Sequence, residues 1–106
     1  MIERAGGTAE LCPFDVADTA ACAEAIARHP RIDILVNNAG IRQDALLVFM
    51  KLEQWTEVLA TNLSSFYNVT QPVVKQMALN RWGRIVTIAS TAGQTGMPGQ
   101  VNYAAA

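Results

Sequence analysis

The chain contains 106 residues, with eight basic and nine acidic side chains and a formal net charge of -1. This length predicts at most one small domain, and the balanced, unclustered charges argue against nucleic acid or an anionic membrane as a partner. Only 16% of the residues are charged and 51% are hydrophobic. This composition indicates part of a larger fold, or a subunit that buries surface against partners. The alternative is ordinary variation in the composition of a short sequence.

The first elements are predicted from residues 6 to 30. A glycine turn leads into a short strand through Leu11 and Phe14, which stops at polar residues around Asp15. Thr19 is a candidate N-cap for the alanine-rich helix that follows, and Pro30 ends that helix.

The remaining elements alternate between strands and helices. Continuous apolar runs at Ile32–Val36 and Arg84–Ile88 predict two parallel strands that are covered on both faces. Between them, apolar residues at three- and four-residue steps predict amphipathic helix from about Leu52 to Asn80, kinked or repacked at Pro72. Residues 100–106 are typical of a helix start. The order predicts an α/β fold with a parallel sheet.

The two cysteines, Cys12 and Cys22, are ten positions apart and have no histidine pair near them. This spacing supports neither a disulfide framework nor a zinc site, so we expect reduced thiols, no metal site and a cytoplasmic location. No apolar run approaches the roughly 20 residues that a membrane span needs, so we expect a soluble protein.

Small polar residues follow each predicted strand, at Asp15–Val16, Asn38–Gly40 and Ala89–Ser90. Ligands of open parallel sheets bind beyond the carboxyl ends of the strands, so the three positions together indicate a binding site. Each alone has a simpler explanation, since Asp15 could cap a helix and Gly40 could supply a backbone turn.

Four segments in matching order, "DILVNNAG", "TNLSS", "GRIVTIAS" and "GQVNYAAA", resemble the short-chain dehydrogenase/reductase family, and within it the bacterial 3-oxoacyl-acyl-carrier-protein reductases. The resemblance covers almost the whole chain. It implies a Rossmann-like, doubly wound parallel sheet that binds NADP or NAD, with NADP favoured. It also implies a cytoplasmic homotetramer that reduces a small-molecule or acyl-carrier-protein-bound substrate in fatty acid synthesis.

The resemblance implies a role for three residues in catalysis. Tyr103 matches the catalytic acid-base and Ser90, thirteen positions earlier, matches the hydroxyl that hydrogen-bonds the substrate carbonyl. Asn62 matches the helix residue whose backbone holds a water in the proton relay, although an asparagine inside a helix also predicts a structural kink. A free phenol, with a pKa of about 10, is a poor acid-base group at neutral pH, and the family's lysine four residues after the tyrosine would favour the phenolate.

The resemblance also implies the cofactor contacts. Asp15 and Val16 match the pair that meets the adenine, and Asn38, Ala39 and Gly40 match the stretch near the ribose. Asn37 is expected to connect its strand to neighbouring elements.

Residues 1–106 contain neither the family's lysine nor its glycine-rich strand-to-helix turn, which presents backbone amides to a pyrophosphate. The predicted strands resemble the third, fourth and fifth of the family's sheet. We therefore expect residues 1–106 to be a partial dinucleotide-binding domain, an internal fragment that is inactive alone. The alternative is a non-catalytic fragment that associates with intact reductase subunits through the helices from about Leu52 to Asn80.

Overall fold

The computed structural model describes all 106 residues of the chain. Five α-helices and two β-strands follow one another along it. They are α1 (Thr19–Ala27), β1 (Ile34–Asn37), α2 (Leu52–Leu59), α3 (Ser65–Asn80), β2 (Arg84–Thr87), α4 (Ala92–Thr95) and α5 (Val101–Ala105). A π-helical stretch, Ala60–Ser64, joins α2 to α3, and short 3-10 turns lie at Glu3–Ala5 and Leu47–Phe49.

The two strands form a parallel pair, as their sequences predict. Ile34 lies opposite Arg84 and Asn37 lies opposite Thr87. The pairing continues one residue beyond β2, because Ile88 N donates to Asn37 O at 2.9 Å. Both strands therefore end at the same edge of the sheet, and the segments that follow them lie side by side.

The hydrophobic core lies between α1 and α3. Its five buried residues are Cys22, Ile26, Val69, Val73 and Met77. Half-buried side chains from the segments before and after α1 and from β1 pack against this cluster, and they are Phe14, Val16, Ile32 and Leu35. The core thus fixes one face of β1 against the two helices.

The prediction that both strands are covered on both faces is wrong. Ile34 and Val36 are 60% and 53% exposed, and every residue of β2 is exposed. The cause is that α1 and α3 cover only one face of β1, while no element of the chain covers the opposite face.

The predicted strand through Leu11 and Phe14 is also absent. Residues 7–15 have no regular secondary structure, and Leu11 is 94% exposed. A strand needs a neighbour to accept and donate its backbone hydrogen bonds. The only two strands of the chain pair with each other, and neither pairs with residues 7–15.

Helix α1 begins one residue earlier than predicted, because Asp18 and not Thr19 is its N-cap. Asp18 Oδ1 accepts a hydrogen bond from Ala21 N at 3.0 Å, which satisfies one of the free amides of the first turn. The Thr19 hydroxyl instead donates to Asn68 Oδ1 on α3, at 3.0 Å. This bond adds a polar contact between the two helices that form the core.

The amphipathic helix predicted between the strands is confirmed, but its irregularity is not at Pro72. Pro72 lies inside α3, and the departure from α geometry is the π-helical stretch Ala60–Ser64, which contains Asn62. The helix ends at Arg81 in the left-handed conformation, with φ of 57°. No helix of the chain combines the length and apolar character that crossing a membrane requires.

Candidate functional site

A cleft of about 1090 Å³ opens beyond the carboxyl ends of β1 and β2. Its walls come from the segments that follow the two strands, from the π-helical stretch and from α5. Six of the eight site residues predicted from the sequence line this one cleft, and they are Asn38, Ala39, Gly40, Asn62, Ser90 and Tyr103. The topology thus brings together residues that are up to 65 positions apart, from 38 to 103.

Ser90 lies three residues after β2 and is exposed to the cleft. Its Oγ accepts a hydrogen bond from Ala92 N at 3.2 Å. The bond uses an oxygen lone pair and orients the hydroxyl, while the hydroxyl proton has no acceptor within the protein. Ser90 can therefore donate this proton to a ligand oxygen in the cleft.

Tyr103 lies in the first turn of α5 and is half-buried against the cleft wall. Its backbone N donates to the side-chain Oδ1 of Asn102 at 2.8 Å. The phenol thus stands at the start of a helix of only five residues, so its position depends on what holds that helix in place.

Asn62 connects the helix to the segment that follows β1. Its Oδ1 accepts from Ile41 N at 2.8 Å, and its Nδ2 donates to Ile41 O at 2.9 Å. Both ends of the amide are used by one backbone residue, so the side chain has a structural role. A π-helical turn also shifts backbone carbonyls out of the α pattern, which is frequent at functional sites.

The segment Asn38–Gly40 forms the floor of the cleft below β1. Gly40 does not have a positive φ, and a Cβ placed there would meet Asn62 Oδ1 at 3.6 Å, an ordinary contact. The backbone therefore does not require glycine at this position. Asn37, just before the floor, donates from Nδ2 to Thr70 Oγ1 at 3.0 Å, which confirms the expected connection between its strand and a neighbouring element.

Asp15 and Val16 lie outside the main cleft. Asp15 Oδ1 accepts from Ala17 N at 2.9 Å, so the carboxylate closes a local turn. Val16 lines a smaller adjoining cavity of about 190 Å³ together with Asn38 and Ala39. Val16 is therefore close to the predicted site, whereas the geometry of Asp15 favours the local structural explanation.

Two buried asparagines near the site were not predicted. Asn68 donates from Nδ2 to Val16 O at 3.1 Å, and Asn102, fully buried, donates to Gln43 O and Gln54 O. The signal that could have indicated them is their type, because asparagine is an unfavourable choice inside a helix unless its side chain has a partner.

Arg42 is the only charged residue among those that line the cleft. Its guanidinium makes the cleft favourable for an anionic ligand. For the pyrophosphate of a dinucleotide, by contrast, residues 1–106 offer no site, since they have no glycine-rich strand-to-helix turn and the N-terminus of α1 is occupied by the Asp18 carboxylate.

The Cys22 thiol, on α1, does not line the cleft. Burial raises the pKa of the Cys22 thiol, and the negative charges of Asp18 and Asp15 raise it further. Cys22 therefore stays protonated as a core side chain, and its Sγ contacts Val16 O at 3.4 Å.

Comparison with known proteins decides the family. The family model described as short chain dehydrogenase matches residues 1–106. The chain belongs to this family. Its sheet is accordingly part of a Rossmann-like α/β fold, as the sequence predicts.

The relatives include enzymes that are named for the reduction of 3-oxoacyl compounds. An acetoacetyl-CoA reductase of Acinetobacter sp. is 52% identical over 84% of this chain, and a 3-oxoacyl-[acyl-carrier-protein] reductase of Haemophilus influenzae is 52% identical over 71% of it. Nodulation protein G of Azospirillum brasilense is 48% identical over 87% of the chain. The matched parts make up 36%, 31% and 39% of these relatives, so the chain spans about a third of their length.

Proposed function

We propose that residues 1–106 form the carbonyl-binding part of an NAD(P)H-dependent reductase, which converts a 3-oxoacyl thioester to its 3-hydroxy form. Tyr103 is the proton donor, Ser90 holds the substrate carbonyl, and Asn38, Ala39 and Gly40 contact the cofactor near its ribose. Val16, and with it Asp15, lies at the adenine end. The backbone of Asn62 holds a water in the proton relay.

The observation that carries this proposal is that one cleft contains both Ser90 and Tyr103 together with the segment Asn38–Gly40. Two residues with hydroxyl groups, from different elements, line the same space beyond a parallel sheet. In this proposal a carbonyl oxygen bound there accepts a hydrogen bond from each, and donors aimed at developing negative charge stabilise the transition state more than the ground state.

The reaction adds two hydrogens across the carbonyl. Bound NAD(P)H would supply a hydride to the carbonyl carbon, and the carbonyl becomes a single bond as negative charge gathers on oxygen. Ser90 stabilises that charge with the hydroxyl proton that has no acceptor within the protein. The Tyr103 phenol transfers its proton to the oxygen, and the product is the alcohol.

The substrate class rests on the relatives' names, which specify acetoacetyl-CoA and 3-oxoacyl-[acyl-carrier-protein] as substrates of those proteins. Arg42 in the cleft suits the phosphates of either carrier or of the cofactor. By the same family relationship we propose NADP as the preferred cofactor, a homotetrameric assembly, and a role in fatty acid synthesis in the cytoplasm.

The 106-residue chain alone is proposed to be inactive, because residues 1–106 include no glycine-rich strand-to-helix turn that could hold a pyrophosphate. A second proposal for the isolated chain is association with intact reductase subunits. It is favoured by exposed apolar side chains on and before α2, where Val48, Phe49 and Leu52 are 81%, 75% and 72% exposed. Co-purification with a tagged intact reductase tests it, and a chain that remains monomeric beside that reductase contradicts it.

The test of the reductase proposal uses the complete gene product that carries residues 1–106. Oxidation of NADPH or NADH is followed with acetoacetyl-CoA as substrate. We expect Tyr103→Phe to lower kcat by about 1000-fold, since a positioned general acid contributes about 100- to 10,000-fold. Ser90→Ala is expected to lower kcat by about 100-fold, because it removes one donor to the developing oxyanion.

The matched control is Tyr67→Phe, the same substitution at an exposed tyrosine on α3. It is expected to leave kcat unchanged. A Tyr103→Phe protein with wild-type turnover would show that the cleft is not the catalytic site. A clear rate from the 106-residue chain by itself would contradict the proposed inactivity of that chain.

A further inference from the structure

Asn102 is the fully buried polar residue immediately before Tyr103. Its Nδ2 donates to Gln43 O at 3.0 Å and to Gln54 O at 2.9 Å, while its Oδ1 accepts from Tyr103 N at 2.8 Å. Both amide protons and the carbonyl oxygen are thus engaged. One side chain joins three elements: the start of α5, the segment after β1, and α2.

Further hydrogen bonds align the start of α5 with residues 41–45, which we name the strap. Ala45 N donates to Gly99 O at 2.9 Å, and Gln100 Nε2 donates to the Asp44 carboxylate at 3.3 Å. Together with Asn102 on Gln43, these bonds hold the strap along residues 99–102. The residues that precede Tyr103 in the chain are therefore held at several consecutive positions.

The other end of the strap is attached to Asn62, whose amide forms both of its bonds with Ile41. Hydrogen bonds therefore attach the strap to Asn62 at Ile41 and to Asn102 at Gln43. Asn62 and Tyr103 belong to separate helices that both line the cleft. The hydrogen bonds of the strap therefore connect the position of Asn62 to that of Tyr103.

The helix that carries Tyr103 cannot hold its own position. Helix α5 has five residues, and isolated helices shorter than about 12 residues are marginal in water. Asn102 is the one buried residue of α5, and its side-chain hydrogen bonds tie the helix to the Gln43 and Gln54 carbonyls.

We propose that Asn102 is a positioning residue for the reaction: by binding the Gln43 and Gln54 carbonyls, it sets the place of the Tyr103 phenol in the cleft. This inference rests on the proposed function, in which Tyr103 donates the proton. Asn102 itself does not line the cleft, so it acts only through its neighbour.

The decisive variant is Asn102→Asp in the complete gene product. The substitution keeps the shape of the side chain but replaces the donating amide nitrogen with an oxygen that faces two carbonyl oxygens. We expect kcat to fall by about 100-fold, since a small displacement of a catalytic group has an effect of this order. The KM for the reduced cofactor is expected to stay unchanged, because the segment Asn38–Gly40 is not altered.

A second readout does not depend on activity. Ala104 N and Ala106 N donate to Gln100 O and Asn102 O, so hydrogen exchange of these two amides reports the order of α5. We expect both to exchange faster in Asn102→Asp, while the amides of β1 and β2 keep their protection. If the Asp variant does not fold, Asn102→Ala, which removes the donor without adding a repelling oxygen, is measured in the same way.

Two controls separate positioning from general loss of stability. Gln76→Ala removes an amide bond to Ile26 O of 3.2 Å, remote from the cleft, and Val73→Ala opens a cavity in the core. Both are expected to lower Tm and to leave kcat unchanged well below the transition. A kcat loss in these controls equal to that of the Asn102 variants would overturn the positioning role.

The outcomes of the inference and of the proposed function are distinguishable. Wild-type kcat or unchanged exchange of Ala104 and Ala106 in both Asn102 variants would overturn the inference, even where Tyr103→Phe is inactive. A fully active Tyr103→Phe protein would remove the catalytic basis instead, whatever the exchange experiment shows. A loss of kcat together with faster hydrogen exchange that is confined to the amides of α5 supports the positioning role.

Discussion

Residues 7–15 and residues 34–37 are both predicted from sequence to lie in strands, but their structures differ. Each contains a short apolar run that ends at polar residues, at Asp15 in one case and at Asn37 in the other. The second run forms β1, paired with β2, whereas the first has no regular structure and leaves Leu11 94% exposed. The difference is the neighbour: β1 has a parallel partner along its whole length, and residues 7–15 have none.

The irregular segment is nevertheless held in place at its end by side chains. Phe14 and Val16 pack against the core, and Asn68 on α3 donates to Val16 O. The comparison shows that a strand pattern forms a strand only where another strand supplies backbone partners. Elsewhere, side-chain amides and apolar contacts determine where the backbone lies.

The largest expected effect comes from proline substitution in the two regions. Val86→Pro removes a backbone donor from the middle of β2, opposite Val36, and is expected to lower the free energy of unfolding by about 3 kcal/mol or more. Leu11→Pro, in the exposed irregular segment, is expected to change it by less than about 0.5 kcal/mol. Urea unfolding followed by circular dichroism measures both, and equal losses would show that residues 7–15 are as regular as β1.

A smaller effect is expected when the side-chain contact of the irregular region is removed. Asn68→Ala leaves Val16 O and the Thr19 hydroxyl without their partner, and should reduce the free energy of unfolding by about 1 to 3 kcal/mol. The control is Asn80→Ala at the exposed end of α3. The same unfolding assay applies, and a variant as stable as wild type would mean that apolar packing alone holds Val16.

The smallest effect is a difference in thiol reactivity. Cys12 lies in the irregular segment and is half-buried, whereas Cys22 is fully buried, with a pKa raised by burial and by Asp18 and Asp15. Because the thiolate is the nucleophile, we expect iodoacetamide to modify Cys12 first at pH 8 and Cys22 only after unfolding. Mass spectrometry of a time course measures the order, and equal rates would show that the packing of α1 on α3 opens readily.

The raised pKa of the Cys22 thiol also makes the stability of the fold depend on pH. A thiol whose pKa is higher in the folded state contributes its stability below its unfolded pKa, and loses it as the pH rises through the folded value. The same time course at higher pH is therefore expected to show faster labelling of Cys22 as alkali weakens the core.

The local sequence pattern correctly predicted the helix, whose backbone hydrogen bonds are internal, and the two strands that pair with each other. The amphipathic periodicity gave the helix between the strands, and two β-branched runs gave the parallel pair. It also indicated a kink at Asn62, which lies in the π-helical stretch, but it could not predict that Asp18 replaces Thr19 as the cap or that Pro72 stays inside a regular helix. These depend on which partner is nearby after folding.

For the site, residue types and their positions after the strands indicated Ser90, Tyr103 and Asn38–Gly40, and the cleft contains all of them. The same reasoning indicated Asp15 and Val16, which lie outside this cleft, and there the structure adds a local turn that the Asp15 carboxylate closes. The sequence could not show that Asn102 ties α5 to the rest of the chain, since its partners are backbone carbonyls 59 and 48 positions away.

The sequence by itself determined the family, the helix and the two paired strands around it, and the residue types that follow those strands, because each depends on local pattern or on short motifs. The tertiary structure alone decided which apolar run becomes a strand, which face of the sheet is covered, and which buried amides hold the cleft together. Those outcomes depend on backbone groups and surfaces that are brought together only when distant segments of the chain meet.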